Sequence, residues 1–334
     1  GAPIVVGGSV ADLVAAPAPG TPLLPHTSTP GTLVVSAGGV GRNIAEGLSR
    51  LGYPPLLLSA VGDDALADQL YARGAAVRPA LPMGSLLRVQ GARTATFTAI
   101  EDEAGDLSAA VADMEVLSAI SPEYVSYYAA AFADAPLCVA DANVPPQTLQ
   151  CIAHHAARHG TPLWIEPVSI AKGAAACATL YHSGLLGCVD FLSPNEHEVL
   201  AMAAALHSAD PSAALPAPAE PDDASVCAAA AALVQAGCKH VLVTRGARGL
   251  LWAHSGADGV QMEEMPALPA TVATTRGAGD AFVTGTAWGL LQRARDAARE
   301  PDVLRAALLS GLRAAQLTVQ SEEAVAPTLV AEHL

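Results

Sequence analysis

Short apolar runs alternate with longer alanine-rich stretches along most of this chain. The apolar runs are rich in Val, Leu and Ile, a composition typical of strands buried on both faces of a sheet. They predict strands at residues 4–6, 56–60, 137–140, 163–166, 189–193 and 239–244. Stretches of helical length lie between them, including residues 40–51, 146–159 and 224–236. The alternation predicts one α/β domain over residues 1–334, whose mostly parallel sheet is covered by helices on both faces.

Two segments depart from this alternation. Residues 21–36 are rich in Pro and Thr, and residues 85–111 alternate polar and apolar positions around a hairpin turn at 103–106. We predict that roughly residues 14–36 and 85–112 form a small β-sheet that projects from the main domain as a lid. A stretch rich in Pro, Ala and Asp, at roughly 207–224, predicts a surface insertion.

Composition narrows the class of protein. Hydrophobic residues make up 51% of the chain and charged residues 15%, which indicates a packed globular protein. The 17 basic residues are outnumbered by 32 acidic ones, and this balance argues against a nucleic-acid surface. No apolar run reaches the length of a membrane span, and the six scattered cysteines favour reduced thiols. We therefore expect a cytoplasmic protein with small-molecule partners and neither nucleic-acid nor membrane partners.

A glycine turn near the end of the chain is the most informative feature. Gly277-Ala278-Gly279-Asp280 comes directly before a helical pattern at residues 283–295. Such a turn aims several backbone N–H groups and the positive end of the helix dipole at one point, which favours phosphate binding. An acidic residue placed there is positioned to take a proton from an incoming hydroxyl. The alternative is an ordinary turn in which Asp280 caps the helix.

A second glycine-led helix start occurs near the beginning of the chain. Gly38-Gly39 precedes a helical stretch that carries Asn43 in its first turn. Small residues let a ligand approach the backbone, and the asparagine side chain can both donate to and accept from sugar hydroxyls. Neither glycine stretch contains the Gly-Lys-Ser/Thr sequence of a Walker A loop.

A third element follows the strand predicted at 189–193. Asn195 and Glu198 are three positions apart at the start of a helix and share one face of it. Their oxygen atoms suit Mg²⁺ held through water beside nucleotide phosphates. The alternative, which is favoured when this element is considered alone, is a capping box that stabilises the helix start.

Taken together, the three elements resemble a known family. The stretches GGVGRNIAEGLSRLG and TTRGAGDAFVTGTAWGLL are similar to the two signatures of the PfkB (ribokinase-like) carbohydrate kinases, and Asn195-x-x-Glu198 resembles the Asn-x-x-Glu element of that family. The order and spacing also match over nearly the whole chain. Within the family, the Gly-Val-Gly-Arg-Asn form is most similar to pseudouridine kinases.

The resemblance implies a ribokinase-like three-layer α/β/α fold with a small β-sheet lid, and a role for individual residues. It implies that Asp280 is the catalytic base and that amides of Gly277, Ala278 and Gly279 form the anion hole. Substrate binding is implied for Asp12, Gly39, Asn43 and, less directly, Asp113; ATP binding for Thr244, Gly246 and Gly249; and water-mediated Mg²⁺ binding for Asn195 and Glu198. The reaction implied is phosphorylation of the 5′-hydroxyl of pseudouridine by Mg-ATP, in a homodimer joined through the lid. A requirement for K⁺ is left open.

Arg276 departs from the family pattern, which usually has threonine directly before the glycine turn. A guanidinium there could grip the γ-phosphate of ATP, point into solvent, or crowd the site and weaken activity. Two other functions therefore stay open. One is a kinase for ribose, adenosine, inosine or a ketohexose, and the other is a nucleoside-binding protein with weak catalytic activity.

Overall fold

The computed structural model describes residues 1–24, 26–207, 220–256, 259–293 and 301–334. Its strands in chain order are β1 (Ile4–Val6), β2 (Val10–Pro17), β3 (Gly31–Gly38), β4 (Leu56–Leu58), β5 (Ala60–Val61), β6 (Leu87–Arg88), β7 (Thr96–Glu101), β8 (Leu107–Asp113), β9 (Cys138–Asp141), β10 (Leu163–Glu166), β11 (Phe191–Leu192), β12 (His240–Thr244), β13 (Leu250–Gly256) and β14 (Gly259–Met265). Its α-helices are α1 (Val40–Arg50), α2 (Ala65–Ala76), α3 (Pro122–Tyr127), α4 (Ala129–Asp134), α5 (Pro146–His159), α6 (Ile170–His182), α7 (Glu196–Ala205), α8 (Asp223–Gln235), α9 (Ala278–Leu291) and α10 (Pro301–Val319).

The central sheet has eight strands in the order β14-β13-β12-β11-β10-β9-β1-β4. The six strands from β12 to β4 are parallel, and β13 and β14 add an antiparallel edge. This arrangement confirms the predicted mostly parallel sheet. Its parallel strands end at one common edge, where the loops that follow them can meet.

Helices cover both faces of this sheet. Alternate residues of each strand enter different cores: Ile4 and Val6 pack into one hydrophobic cluster, whereas Val5 packs into the other. Trp164 and the neighbouring Ile165 divide in the same way. Because successive side chains of a strand point to opposite faces, the strands read as continuous apolar runs. The three-layer α/β/α prediction is confirmed.

A smaller sheet of four strands has the order β3-β2-β7-β8. The hairpin predicted around residues 103–106 joins β7 to β8, and the amide of Asp102 donates to the carbonyl of Asp106 at 2.8 Å. The strand predicted at 56–60 is too long at its end. β4 ends at Leu58, and Ala60 belongs to β5, which lies outside the central sheet and pairs with β6. The segment 85–94 therefore lies beside β5, although it was predicted to belong to the lid. The chain enters the four-stranded sheet only at Thr96.

Other predictions fall partly on residues outside this description. The predicted insertion at 207–224 lies mostly there, since residues 208–219 are not among the described residues, and α8 begins at Asp223. The helix predicted at 283–295 corresponds to α9, which ends at Leu291. Among the described residues, all six cysteines are free thiols, and no helix is both long and apolar enough to cross a bilayer.

Candidate active site

The glycine turn before α9 has the geometry that its sequence predicts. Gly277 is the N-cap of α9 and has a φ of 72°, in the left-handed region. A Cβ atom at this position would lie 2.1 Å from the carbonyl oxygen of Ala324. Both facts require glycine. The turn therefore fixes where the first backbone amides of α9 point, although the amide of Ala278 already donates to the carbonyl of Thr275 at 3.3 Å.

Asp280 lies in the first turn of α9 and is almost fully buried, with 9% of its surface exposed. Its Oδ2 atom accepts a hydrogen bond from Nδ2 of Asn43 at 2.8 Å. Burial raises the pKa of Asp280 to about 7, the Asn43 hydrogen bond lowers it in part, and the charges of Asp141 and Asp12 raise it further. A carboxylate with this pKa can accept a proton near neutral pH and is matched to general-base chemistry.

Asn43 is held in one orientation by its own helix. Nη1 of Arg42 donates to Oδ1 of Asn43 at 3.2 Å, which leaves the amide nitrogen directed at Asp280. The Arg42 guanidinium is buried and also pairs with Glu46 one turn further along α1. A charged residue is buried here at a desolvation cost that its partners offset. The arrangement keeps the Asn43 amide fixed beside the Asp280 carboxylate.

Gly39 allows α1 to begin close to the end of β1. Its φ is 93°, and a Cβ atom would lie 2.4 Å from the carbonyl oxygen of Gly8. No residue with a side chain fits this approach without a shift of the backbone. Glycine is therefore required at this position by the close packing of the turn against Gly8.

Asn195 and Glu198 form the capping box that their sequence predicts as the alternative to metal binding. Oδ1 of Asn195 accepts from the amide of Glu198 at 2.9 Å, and the amide of Asn195 donates to Oε2 of Glu198 at 2.8 Å. Burial raises the pKa of Glu198, and the hydrogen bonds from Asn195 lower it in part. Glu198 keeps its second carboxylate oxygen, and Oδ1 of Asn195 keeps a second lone pair, so capping leaves ligand-binding capacity.

A cleft of about 350 Å³ brings six of the predicted residues together. Its walls contain Asp280, Gly277, Gly279, Asn195, Glu198 and Thr244 from the predicted set, and also Val40, Glu166, Val168, Ser193 and Phe282. Ala278, Asp12, Gly39, Asn43, Asp113, Gly246, Gly249 and Arg276 lie outside these walls. Asn43 and Gly39 nevertheless adjoin it, because Asn43 contacts Asp280 and Gly39 precedes Val40. The cleft contains an acid, helix-start glycines and oxygen donors, a combination suited to phosphoryl transfer.

Asp12 approaches this site from the small sheet. It lies on β2, in register with Ser36 of β3 and Phe97 of β7. Burial raises the pKa of Asp12 to about 6, and the charges of Arg276 and Arg42 lower it in part. Asp12 therefore lies within electrostatic range of both glycine-led helix starts.

Arg276 contacts the small sheet. Its Nη2 atom donates to Oε1 of Glu101, the last residue of β7, at 3.2 Å. The Arg276 side chain is 53% exposed and that of Glu101 is 23% exposed. This ion pair joins the turn before α9 to the small sheet, a connection that the sequence did not reveal.

Asp113 lies at the end of β8, away from the cleft walls. Its Oδ2 atom accepts from Nε of Arg93 at 2.9 Å and from Nη2 of the same residue at 2.8 Å. The side chain is 34% exposed. Asp113, a predicted substrate contact, therefore takes part in an ion pair at the surface of the small sheet.

The predicted ATP loop follows the carboxyl end of β12, an interior strand of the central sheet. The amide of Thr244 donates to the carbonyl of Pro194 at 2.9 Å, which joins the end of β12 to the segment that carries Asn195. Gly246 begins a short 3₁₀ turn and Gly249 ends it. The loop and the start of α7 therefore lie side by side.

Two buried acids near the cleft, Asp141 and Glu166, are absent from the site predicted from the sequence. Asp141 ends β9 and its Oδ2 atom accepts from the amides of Gly8 at 2.9 Å and Gly41 at 2.8 Å. It thereby ties the end of β1 to the start of α1. The signal that could have found it is an acidic residue directly after a buried parallel strand.

The second of these acids is Glu166, which ends β10 and lines the cleft. Its Oε2 atom accepts from the amide of Val168, a β-branched residue with a φ of 68°. Such backbone strain is uncommon outside functional sites. Burial raises the pKa of Glu166 well above its usual range, and the charges of Glu198 and Asp280 raise it further.

These mutually repelling carboxylates test whether the cleft fits a divalent cation. Glu166, Glu198 and Asp280 supply the hard oxygen donors that Mg²⁺ prefers, and a cation would relieve their repulsion. Over the described residues, no three His, Cys, Asp or Glu side chains are arranged to ligate a metal together. These oxygen atoms would therefore hold Mg²⁺ only in a coordination shell completed by water and by a bound ligand.

Comparison with known proteins identifies the family of this chain. The family described as pfkB family carbohydrate kinase matches residues 4–330, and the chain belongs to it. The chain is 29% identical over 205 residues to the pseudouridine kinase of Arabidopsis thaliana (61% of this chain, 51% of that protein). It is 34% identical over 145 residues to the pseudouridine kinase of Escherichia coli (43% and 45%). The matches thus span about half the length of these curated relatives.

A solved structure supports the fold. The structure of Arabidopsis thaliana ribokinase complexed with ribose and ATP superposes with a TM-score of 0.74 at 21% identity. The superposition covers 97% of this chain and 95% of the ribokinase chain. The predicted ribokinase-like fold is confirmed.

Proposed function

We propose that this protein transfers the γ-phosphoryl group of ATP to the 5′-hydroxyl of pseudouridine, giving pseudouridine 5′-phosphate. The observation that carries the proposal is the buried Asp280 carboxylate, with a pKa of about 7, at the glycine-led start of α9. Membership of the PfkB family supports the kinase reaction, and similarity to two pseudouridine kinases supports the acceptor.

In the proposed reaction Asp280 takes the proton of the 5′-hydroxyl. The resulting oxygen attacks the γ-phosphorus of ATP, and the bond from that phosphorus to the β,γ-bridging oxygen breaks to release ADP. Amides of Gly277, Ala278 and Gly279 stabilise the charge on the transferred group, helped by the dipole of α9. Asn43 holds the base in place through its hydrogen bond to Oδ2.

Ribose binding is proposed for the residues that meet beneath the small sheet. Asp12 and Asn43 would bond the ribose hydroxyls, and Gly39 would let the sugar approach the backbone. Asp113 remains a candidate contact for the nucleobase or the ribose, because a shift of Arg93 would free its carboxylate. Closure of the small sheet over the sugar would exclude water and so limit ATP hydrolysis.

ATP is proposed to lie along the loop after β12. Thr244, Gly246 and Gly249 would contact the nucleotide. Asn195 and Glu198 would hold Mg²⁺ through water, with Glu166 on the same wall of the cleft. When bound, the cation neutralises phosphate charge and orients the terminal phosphoryl group. A contact between Arg276 and the γ-phosphate would require its guanidinium to leave Glu101.

A homodimer through the small sheet is also proposed. Its outer strands expose large apolar side chains: Leu33 and Val34 on β3, and Leu107 and Val111 on β8. Exposed apolar residues concentrated on one element mark an interaction surface. Light scattering at micromolar concentration should give twice the mass of the 334-residue chain, and a monomer would contradict the proposal.

One panel tests the substrate. The protein is incubated with Mg-ATP and, separately, pseudouridine, uridine, ribose, adenosine, inosine or fructose, in buffers containing either K⁺ or Na⁺. Phosphorylated products are identified by mass spectrometry, and Asp280→Asn serves as the inactive control. We expect pseudouridine 5′-phosphate as the main product. Preference for ribose, adenosine, inosine or fructose would make the protein a kinase for that acceptor, and nucleoside binding without any product would make it a binding protein.

A further inference from the structure

A buried guanidinium lies directly behind the proposed ATP loop. Arg245 follows the last residue of β12, and its side chain is 5% exposed. A buried charge is retained only where partners offset its desolvation. Arg245 is not among the residues that line the cleft. Its partners therefore indicate what it does.

Three carboxylates from three different elements accept hydrogen bonds from this guanidinium. Nε donates to Oε1 of Glu196 at 3.1 Å, and Nη1 donates to Oε1 of Glu264 at 2.8 Å. Nη2 donates to Oδ1 of Asp223. Glu196 starts α7, Asp223 starts α8 and Glu264 belongs to β14. Because the guanidinium is planar and always charged, it can hold three acceptors in a fixed arrangement.

Two of the connected segments carry proposed ligand-binding residues. Glu196 directly follows Asn195 and lies two positions before Glu198. On the other side, Arg245 directly follows Thr244, and its amide donates to the carbonyl of Gly249 at 2.8 Å, which closes the loop. The Arg245–Glu196 pair therefore fixes the ATP loop relative to the proposed Mg²⁺-binding helix start.

We infer that Arg245 is a positioning residue for nucleotide binding. It holds the proposed ATP contacts Thr244, Gly246 and Gly249 and the first turn of α7 in the relative placement that receives the phosphates of ATP, and its own side chain does not touch ATP. The inference rests on the proposed function, since it takes ATP as the ligand of this loop. It predicts that loss of Arg245 weakens ATP binding while the acceptor site, built from β2, α1 and α9, is left intact.

Arg248 supplies a matched control. Its Nη1 atom donates to Oδ1 of Asp223 at 2.7 Å, and its Nη2 atom donates to Glu196. The two arginines thus share two carboxylates, but the side chain of Arg248 is 48% exposed whereas that of Arg245 is 5% exposed. Exposed ion pairs contribute little. Substitution of Arg248 removes a similar charge without removing the buried connection.

The experiment compares Arg245→Lys, Arg245→Gln and Arg248→Gln with the unmodified protein. KM for ATP, KM for the acceptor and kcat are measured, and the ATP dissociation constant is measured by calorimetry without acceptor. We expect Arg245→Gln to raise the ATP dissociation constant and KM at least about tenfold, the change produced by about 1.4 kcal/mol. KM for the acceptor should stay within about twofold. Arg245→Lys should recover part of the loss, and Arg248→Gln should resemble the unmodified protein.

Four outcomes would overturn the inference. The first is ATP binding to Arg245→Gln as tight as to the unmodified protein. The second is a loss of affinity in Arg248→Gln equal to that in Arg245→Gln, and the third is a joint rise of both KM values. If Arg245→Gln fails to fold, Arg245→Lys and Glu264→Gln take its place in the test, since each keeps most of the ion-pair network. Unchanged ATP affinity in both of these variants is the fourth outcome that would overturn the inference. An unmodified protein without ATP affinity would contradict the proposed function as well, whereas equal ATP binding by the unmodified protein and Arg245→Gln contradicts this inference alone.

Discussion

The two sheets of the molecule differ in what covers them. In the central sheet, Cys138 and Ala140 of β9 face one core and Val139 faces the other, and none is more than 1% exposed. In the small sheet, Leu107 and Val111 of β8 are 60% and 72% exposed. A sheet packed on both faces has little room to shift, whereas a partly uncovered sheet moves at lower cost.

The proposed functions divide along the same line. Asp280, Asn195 and Thr244 line the cleft beside the central sheet, where close packing holds these side chains in place. Asp12 and Glu101 lie on the small sheet, where movement would admit and enclose the acceptor. This comparison predicts that substitutions in the first group lower kcat or raise KM for ATP and that those in the second group change KM for the acceptor.

The largest expected effect is on the catalytic base. Asp280→Asn keeps the size of the side chain but cannot take a proton from the 5′-hydroxyl, so kcat should fall by about 10²–10⁴. ATP affinity should stay close to that of the unmodified protein, because the nucleotide loop is untouched. Steady-state kinetics and calorimetry measure the two quantities. Asp113→Asn, on the small sheet, serves as the comparison and should alter mainly KM for the acceptor.

Near-normal turnover in Asp280→Asn would remove this residue from the role of base. A large loss of kcat in Asp113→Asn would contradict the division between the sheets. Either result can be interpreted without a structure of the variant, provided that both variants are folded. Their Tm values should lie within a few degrees of that of the unmodified protein, which is about the shift that 1 kcal/mol produces.

A second expectation concerns pH. Only the ionised form of Asp280 can act as base, and its pKa is about 7 compared with an ordinary value of 3.8. The value of kcat/KM for the acceptor should therefore fall about tenfold for each pH unit below about 7 and level off above it. A profile from pH 5 to 9 tests this expectation. A midpoint close to 4 would show that the carboxylate is not held in the buried environment described here.

The central sheet is largely predictable because its strands are buried on both faces. Runs such as residues 137–140 and 163–165 have no polar position that would suggest an amphipathic helix instead. Turn chemistry is equally local, and Gly277 is required by its own φ and by one close carbonyl. The capping box of Asn195 and Glu198 is likewise contained within four residues.

Contacts between distant segments are what the sequence leaves out. Asp141 bonds the amide of Gly8, 133 positions away, and Arg276 reaches Glu101, 175 positions away. The break of the strand predicted at 56–60 also depends on β6, a partner some 30 residues further along the chain. No local pattern specifies such a partner, because the energy of each contact depends on the folded arrangement as a whole.

The smallest expected effect concerns Arg276, the residue that departs from the family pattern. Its pair with Glu101 is partly exposed, and such pairs contribute about 0–1 kcal/mol. Arg276→Thr and Glu101→Gln should therefore each change KM for the acceptor by no more than about fivefold, with the double variant no worse than either alone. Steady-state kinetics on all three variants gives this double-mutant cycle.

The same cycle separates the two proposed positions of the guanidinium. If Arg276 acts through Glu101, the two substitutions are non-additive in KM for the acceptor and KM for ATP does not change. If Arg276 instead leaves Glu101 to grip the γ-phosphate, Arg276→Thr alone raises KM for ATP or lowers kcat, since Glu101→Gln keeps that contact. Additive effects on the acceptor would show that the turn before α9 and the small sheet act independently, and the ion pair would then have no part in closing the lid.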